Sequence, residues 1–293
     1  CDVSLSEHKG GRLICHYCGY TQPMPKLCPK CGSKYILGFK AGTQQIEEKL
    51  KELYPGVRTL RMDADTTRTK DSYEKILSSF ANGEADVLIG TQMIVKGHDF
   101  PKVTLVGILA ADLSLNASDY RAGERTFQLL TQAVGRAGRG ALPGEAVIQT
   151  YQPDHYAITC AAAQDYESFY QEEILYRELS GYPPVAHMLA VQIYGKEEEN
   201  VKQLALRLTD VVKSNMDFLS GKQKEQSNKK IQVLGPAPAN ISKINDIYRY
   251  VFYVKHAEYD VLVEVKDRLE ETLRQWQPRQ MSIQFDFDPV SVL

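Results

Sequence analysis

The sequence predicts an α/β protein in three parts: a parallel-sheet domain, a cysteine-rich module before it and a smaller α/β domain after it. Three observations predict this. Short apolar runs alternate with amphipathic helical segments between residues 36 and 153. Five of the six cysteines fall within the first 31 residues. Beyond the double proline Pro183-Pro184 the elements follow the order β-α-β-β-α-β.

The chain of 293 residues is long enough for two compact domains with their own cores. Its hydrophobic content of 43% and charged content of 25% fit a soluble globular protein. There is no apolar run of bilayer length and no secretory segment, so a membrane partner is not expected. A net charge of −2 neither demands nor excludes nucleic acid, because basic residues can be confined to a groove. Residue 1 is a cysteine inside a metal-binding pattern, which leads us to expect a piece of a longer protein.

Residues 1–35 read as a loop-rich module dense in turn residues, from Gly10-Gly11 to Pro29 and Gly32. Its pairs Cys15/Cys18 and Cys28/Cys31 have zinc-knuckle spacing, which lets two thiolates meet one metal at tetrahedral angles. Disulfides fit poorly without a secretion signal. A redox Cys-x-x-Cys would occur once, between a strand and a helix. Cys160, among Ala161, Ala162 and Ala163, reads as an apolar filler.

Residues 36–153 form the predicted sheet domain. Strands are expected at Ile36–Phe39, Val57–Met62, Val87–Ile89, Val103–Leu109 and Ala146–Thr150. Ile46, Leu50 and Leu53 mark one helix, Tyr73, Ile76, Leu77 and Phe80 another, and Arg121–Val134 a third. The alternation implies a parallel sheet covered on both faces, with ligands at the carboxyl ends of the strands. Residues 154–183 are a helical connector, stopped by prolines that cannot continue a helix.

Residues 184–293 carry the split β-α-β-β-α-β pattern, called ferredoxin-like. Its elements are a strand His187–Tyr194, a helix Glu198–Leu219 and a strand from Ile231 interrupted by Gly235-Pro236-Ala237-Pro238. A turn at Asn245-Asp246, a strand Tyr248–Lys255, a helix Glu258–Trp276 and a strand Met281–Phe287 follow. The polar stretch Ser220–Lys230 offers nothing to bury and reads as a loop. Tyr248, Tyr250, Phe252 and Tyr253 serve packing if ordinary strand propensity rules. Beside Arg249, Lys243 and Lys255 they could instead stack on bases.

Two segments carry chemistry. Gly90-Thr91-Gln92-Met93-Ile94-Val95-Lys96-Gly97-His98-Asp99-Phe100 follows directly on the strand Val87–Ile89. Gln132-Ala133-Val134-Gly135-Arg136-Ala137-Gly138-Arg139 closes the helix before the last strand of the sheet. Two arginines three apart suit phosphate oxygens, because guanidinium forks donate several hydrogen bonds and keep their charge. The glycines would let the backbone approach a ligand.

These segments resemble motifs V and VI of superfamily-2 helicases. The resemblance implies that residues 36–153 are the second, RecA-like lobe of a motor. Gln132, Arg136 and Arg139 would face ATP held on the other lobe, and Gly97, Asp99 and Gly135 would border the nucleotide. Thr91 and Lys96 would lie near the DNA backbone, and Arg249 is a further DNA-contact candidate. Asp112-Leu113-Ser114-Leu115, Asp119-Tyr120-Arg121-Ala122-Gly123-Glu124-Arg125, Tyr182-Pro183-Pro184 and Leu234-Gly235-Pro236-Ala237-Pro238-Ala239 narrow the match to the PriA family of primosomal helicases. The family usually has Ala133-Val134 in the reverse order, and Gln44 stands where it often has Glu.

That family resemblance implies a bacterial, cytoplasmic and nucleoid-associated enzyme of replication restart. It would unwind branched and single-stranded DNA with 3′-to-5′ polarity using ATP and Mg. Its expected partners are single-strand DNA-binding protein and the helicase-loading proteins of the primosome. It also implies two zinc sites built from interleaved cysteine pairs, with Cys1 ending the second pair. Cys15, Cys18, Cys28 and Cys31 could then hold one zinc, in a native or non-native combination. No Gly-x-x-x-x-Gly-Lys-Ser/Thr cradle and no Asp-Glu-x-His magnesium motif occurs, so the chain alone is expected to be catalytically incomplete. Two other readings compete: a non-catalytic, zinc-dependent DNA-binding or loading module, and another superfamily-2 translocase. The Gln132/Arg136/Arg139 set opposes the first, and the cysteine pairs with the C-terminal domain oppose the second.

Overall fold

The computed structural model describes residues 1, 5–8, 11–15, 17–34, 42–63, 65–67, 70–95, 100–117, 119–214 and 230–290. The predicted strand at 36–39, the polar stretch 220–229 and the predicted helix beyond Ser214 lie outside them. Contacts divide the chain into two compact units. One comprises Lys26–Ala117 and Ala122–Tyr170; the other comprises Cys1–Pro25, Ser118–Arg121 and Gln171–Leu293.

In the first unit the elements alternate as expected: α1 (Thr43–Leu53), β4 (Thr59–Met62), α2 (Lys70–Ala81), β5 (Val87–Gly90), β6 (Leu105–Ile108), α3 (Asp112–Leu115), α4 (Ala122–Val134) and β7 (Glu145–Ile148), then α5 (Tyr156–Ala163). The first three strands, β1 (Ser6–His8), β2 (Arg12–Ile14) and β3 (Thr21–Pro23), belong to the second unit. Strands β4 and β5 pair in parallel, as do β6 and β7. Among the described residues these are two separate two-stranded sheets.

The strand expected to be buried on both faces differs from that expectation. Ile108 and Ile148 point into a core of Phe127, Leu130, Ile158, Ala161 and Phe169, whereas Leu105 is 62% and Val147 51% exposed. Helices α4 and α5 supply that core, so β6 and β7 alternate between in and out as half-covered strands do. Phe127 and Phe169 stack at 4.0 Å.

The stretch after β7 folds as two helices. Gln164 takes a left-handed φ of 56° at the end of α5, and its side-chain amide donates to the carbonyls of Ala161 and Thr131. Asp165 then accepts from the Ser168 N–H and hydroxyl, a side-chain cap that starts α6 (Tyr166–Ser180).

In the second unit, β1 (Ser6–His8), β2 (Arg12–Ile14) and β3 (Thr21–Pro23) form an antiparallel meander. The C-terminal elements are β8 (His187–Gly195), α7 (Glu198–Ser214), β9 (Gln232–Ile244), β10 (Ile247–His256), α8 (Tyr259–Trp276) and β11 (Met281–Phe287). Their sheet is antiparallel in the order β11-β8-β10-β9. Strand β9 is continuous where an interruption was expected. Its pairing with β10 shifts register at Tyr248/Tyr250 and at Val251/Tyr253, which accommodates Gly235-Pro236-Ala237-Pro238 without ending the strand.

Helices α7 and α8 lie against one face of this sheet. Val201, Leu204, Ala205, Leu208 and Val212 form a single stripe on α7; Leu262, Val265 and Leu269 do so on α8. They meet Leu189, Val191, Ile193, Tyr250, Phe252 and Val254. Full burial of each large side chain contributes about 1.5–3 kcal/mol. Tyr250 and Phe252 are therefore packing residues. On the opposite face Met188, Ala190 and Gln192 are also buried, so the central strands are covered on both sides.

A buried cationic knot closes α6 in the same unit. The Arg177 guanidinium, on a residue only 5% exposed, donates to Glu173 at 2.5 and 2.7 Å and to the Pro183 carbonyl at 2.7 Å. It also lies 5.0 Å from the ring centre of Tyr120, which stacks on Tyr182. Lys255 is a correction to the DNA-contact expectation. It is buried, donates to the Ser180 carbonyl at 2.6 Å and lies over the Tyr182 ring, and burial lowers its pKa. Replacing Arg177 with Met should cost about 3–5 kcal/mol, because the Glu173 carboxylate stays buried after losing its counter-charge. Urea unfolding should show the double change Arg177→Met/Glu173→Leu to be more stable than the single one.

Candidate functional site

The first chemical segment begins at the carboxyl end of β5. A Cβ built on Gly90 would lie 2.6 Å from the Met62 carbonyl oxygen, so only glycine lets this strand end pass β4. A 3₁₀ turn at Gln92–Val95 follows, with Thr91 exposed before it and its carbonyl accepting from the Ile94 N–H. Lys96, Gly97 and Asp99 lie outside the described residues.

Helix α4 delivers the second segment. Thr126, Phe127, Leu130 and Ala133 face the core, which leaves Gln132 exposed. The helix unwinds at Gly135, and Arg136 reaches from there to donate to the Val95 carbonyl at 2.7 Å. That bond brings the two chemical segments together. Arg139 is exposed, and its Nε donates to the Gly135 carbonyl at 2.6 Å, satisfying an acceptor at the helix end. Gly138 has φ +71°, and a Cβ there would meet the Gly144 nitrogen at 2.7 Å. The close approach that Gly138 permits is thus to the chain's own backbone.

Sequence reasoning noted Asp112 only as part of a resemblance, yet it organises the neighbouring strand ends. It is 7% exposed and accepts from the Thr150 hydroxyl at 2.7 Å and the Tyr151 N–H at 3.1 Å. The Thr150 hydroxyl is the main cause holding its carboxyl below the usual range. Ala111, beside it, donates to the Gln149 carbonyl. A buried Asp a few residues beyond an apolar strand was the available signal; its partner 38 residues away was not readable.

The cysteines form a second candidate centre. The sulfurs of Cys1, Cys15 and Cys18 lie within 4.8 Å of one another. Thiolates sharing a tetrahedral zinc at about 2.3 Å stand roughly 3.8 Å apart, so this donor set fits the soft-ligand metal expected from the spacing. The Cys15 thiol is held below its ordinary pKa, chiefly by the Cys18 backbone N–H. A tight turn produces that arrangement, with the Gly19 N–H donating to the Cys15 carbonyl and the Cys15 N–H to the Tyr20 carbonyl. Cys28 and Cys31 belong to the other unit and repeat the same local turn. The Gly32 N–H donates to the Cys28 carbonyl, and the Cys31 N–H is the main cause lowering the Cys28 thiol. Cys160 is half-buried and packs against the α4–α5 core.

On the C-terminal sheet Arg249 is half-buried, 5.8 Å from the ring centre of Tyr194, its cross-strand neighbour. Lys243 bonds to Asp246 at 3.1 Å and to the Tyr248 hydroxyl at 3.3 Å, and Asp246 is the main cause raising its pKa.

Comparison with known proteins gives a consistent match along the chain. Residues 27–141 match the helicase conserved C-terminal domain, residues 178–290 the primosomal protein N C-terminal domain, and residues 1–23 the PriA DNA helicase Cys-rich region. The replication restart protein PriA of Bacillus subtilis is 41% identical over 100% of this chain and 35% of its own length. That of Synechocystis is 38% identical over 100% of this chain and 34% of its own. That of Chlamydia muridarum is 41% identical over 87% and 33%. The chain spans about a third of the length of these curated relatives.

The converging thiolates predict a metal phenotype. Replacing Cys15 with Ser should weaken zinc binding on the order of a hundredfold, since one ligand in four carries about 3 kcal/mol of a structural zinc's binding free energy. Cys160→Ser should leave it unchanged. Competition with a chromophoric chelator measures both.

Proposed function

Because this chain belongs to the PriA family of replication restart proteins, we propose that it supplies the second motor lobe, the zinc module and the C-terminal domain of an ATP-driven 3′-to-5′ DNA helicase. The observation that carries this reading is the Arg136–Val95 hydrogen bond. It gathers the arginine-bearing end of α4 and the turn after β5 at one edge of a parallel α/β unit.

In our reading, residues 1–35 are the zinc module, 36–153 the RecA-like second lobe, 154–183 the connector and 184–293 the C-terminal domain. The sheet order β11-β8-β10-β9 supports a ferredoxin-like assignment for the last of these. Cys1, Cys15 and Cys18 would hold zinc, which supplies a rigid tetrahedral cross-link and no redox chemistry. Cys28 and Cys31 are proposed as a second pair of ligands.

ATP and Mg would be bound by a phosphate cradle contributed from outside this chain, with Gln132, Arg136 and Arg139 facing them. The two arginines have different tasks in this scheme. Arg136 holds the loops together through Val95, and Arg139 must exchange the Gly135 carbonyl for a phosphate oxygen when the cleft closes. A positioned guanidinium can then neutralise charge on the transferring phosphoryl group. Gly97, Asp99 and Gly135 are proposed to border the nucleotide, and Thr91, Lys96 and Arg249 to contact DNA.

The substrate would be branched or single-stranded DNA at stalled forks, in the bacterial cytoplasm and at the nucleoid. Single-strand DNA-binding protein and primosome loading proteins would be the partners. No helix among the described residues is long and apolar enough to cross a membrane.

Arg139→Ala in the full-length protein should reduce DNA-stimulated ATP hydrolysis about a thousandfold, with fork affinity retained. Arg139→Lys should not rescue it, because the ammonium lacks the planar fork. Arg136→Ala should lose hydrolysis and also some thermal stability. ATPase rates, fork binding and melting curves for the three variants test the assignment. Near-normal hydrolysis by Arg139→Ala would overturn it.

A further inference from the structure

Cys1 has a neighbour 244 residues away. The backbone N–H of Asn245, in the turn between β9 and β10, points at the Cys1 sulfur with N···S 3.2 Å. The Asn245 side-chain oxygen lies 4.0 Å from the same sulfur. A thiol could donate to that oxygen, whereas a metal-bound thiolate has no proton and can only accept. The N–H contact is the one that suits the ligated state.

The turn is built to hold that N–H. Ile244 and Ile247 pair across it, and Asn245 and Asp246 have φ of +48° and +62°. Two consecutive left-handed residues make a type I′ hairpin turn, for which Asn is among the preferred first residues. The Lys243 ammonium braces the turn through Asp246 at 3.1 Å and leans over the Tyr248 ring at 4.6 Å. The direction of the Asn245 N–H therefore follows from a short, braced hairpin and does not depend on the metal.

We infer that the Asn245–Asp246 turn is an outer-shell part of the metal centre, its N–H holding the Cys1 thiolate toward Cys15 and Cys18. The inference rests on the zinc reading above and adds a positioning residue to it. Three thiolates around one divalent cation leave a net negative charge, which an inward-pointing amide dipole stabilises. Through this bond the hairpin between β9 and β10 and the cysteine-rich segment share one centre.

Cadmium-113 in place of zinc tests this on the intact 293-residue chain, without a variant. Proton–cadmium correlation spectra should show cross-peaks from the metal to the β-protons of Cys1, Cys15 and Cys18. They should also show one to the amide proton of Asn245, coupled through the hydrogen bond. Cysteine cross-peaks without the Asn245 one would overturn the inference and leave the zinc reading standing. No cysteine cross-peaks would overturn the zinc reading itself. In a second arm, Asn245→Gly keeps both the turn and the N–H and should bind zinc within about twofold of the parent. A Gly-Gly insertion between Ile244 and Asn245 moves the N–H away and should weaken zinc binding roughly tenfold. Equal affinities in these two variants, with the β9–β10 sheet intact by circular dichroism, would overturn the inference.

Discussion

The second compact unit depends on one buried guanidinium. Arg177 must satisfy its donors away from water, and three groups from different parts of the chain answer that demand: Glu173 one turn earlier, the Pro183 carbonyl after the helix, and the face of Tyr120. Meeting the demand dictates where α6 ends and how the chain turns into β8. It also dictates where the short segment 119–121 must lie, because its Tyr120 stacks on Tyr182 and donates to the Pro289 carbonyl. Lys255 adds a second buried cation over the same Tyr182 ring, with the Ser180 carbonyl as its acceptor. A Tyr-Pro-Pro boundary that reads as a simple helix stop is therefore also a binding site for two of the chain's own cations.

Periodicity made most elements legible. The α7 stripe and the final strand Met281–Phe287 could be read directly, because a 3.6-residue or 2-residue repeat of apolar side chains is a local property. What failed were inferences from local composition to tertiary context. Gly235-Pro236-Ala237-Pro238 looked like a break, yet β9 runs through it because register shifts in the pairing absorb the prolines. Val103–Leu109 looked like a central strand, yet Leu105 faces outward. Lys255 looked like part of a basic patch, and it is buried. A run of apolar or basic residues does not say what lies opposite.

The candidate site divides along the same line. The two segments were legible for different reasons: one follows the carboxyl end of β5, where ligands collect in an α/β sheet, and the other sets two arginines between glycines at the end of α4. The roles of individual groups were not. A Cβ on Gly90 would meet the Ile94 side chain and the Met62 carbonyl, and one on Gly138 the Gly144 backbone, so those glycines shape the loops. The Arg136–Val95 bond joins segments 41 residues apart, and Asp112 ties down a loop 38 residues away. Such pairings are set by topology and leave no trace in spacing.

The cysteines extend this argument to the longest separation. Cys15 and Cys18 are close in sequence, so their convergence needed only the Cys-x-x-Cys turn. Cys1 joins them across the β1–β2–β3 meander, whose register pairs Ser6 with Ile14 and Ile14 with Thr21. A thiolate cluster also needs donors to spread its charge, and the Cys-x-x-Cys turn supplies them beside Cys15, whose thiol the Cys18 N–H holds below its ordinary pKa. A two-residue hairpin turn has a further one to offer, because the turn residues lie outside the ladder. Asn245-Asp246 is such a turn, readable as a turn from its residue types. That it would face Cys1 follows only from the folded sheet, where β9 and β10 carry the turn out to the metal centre.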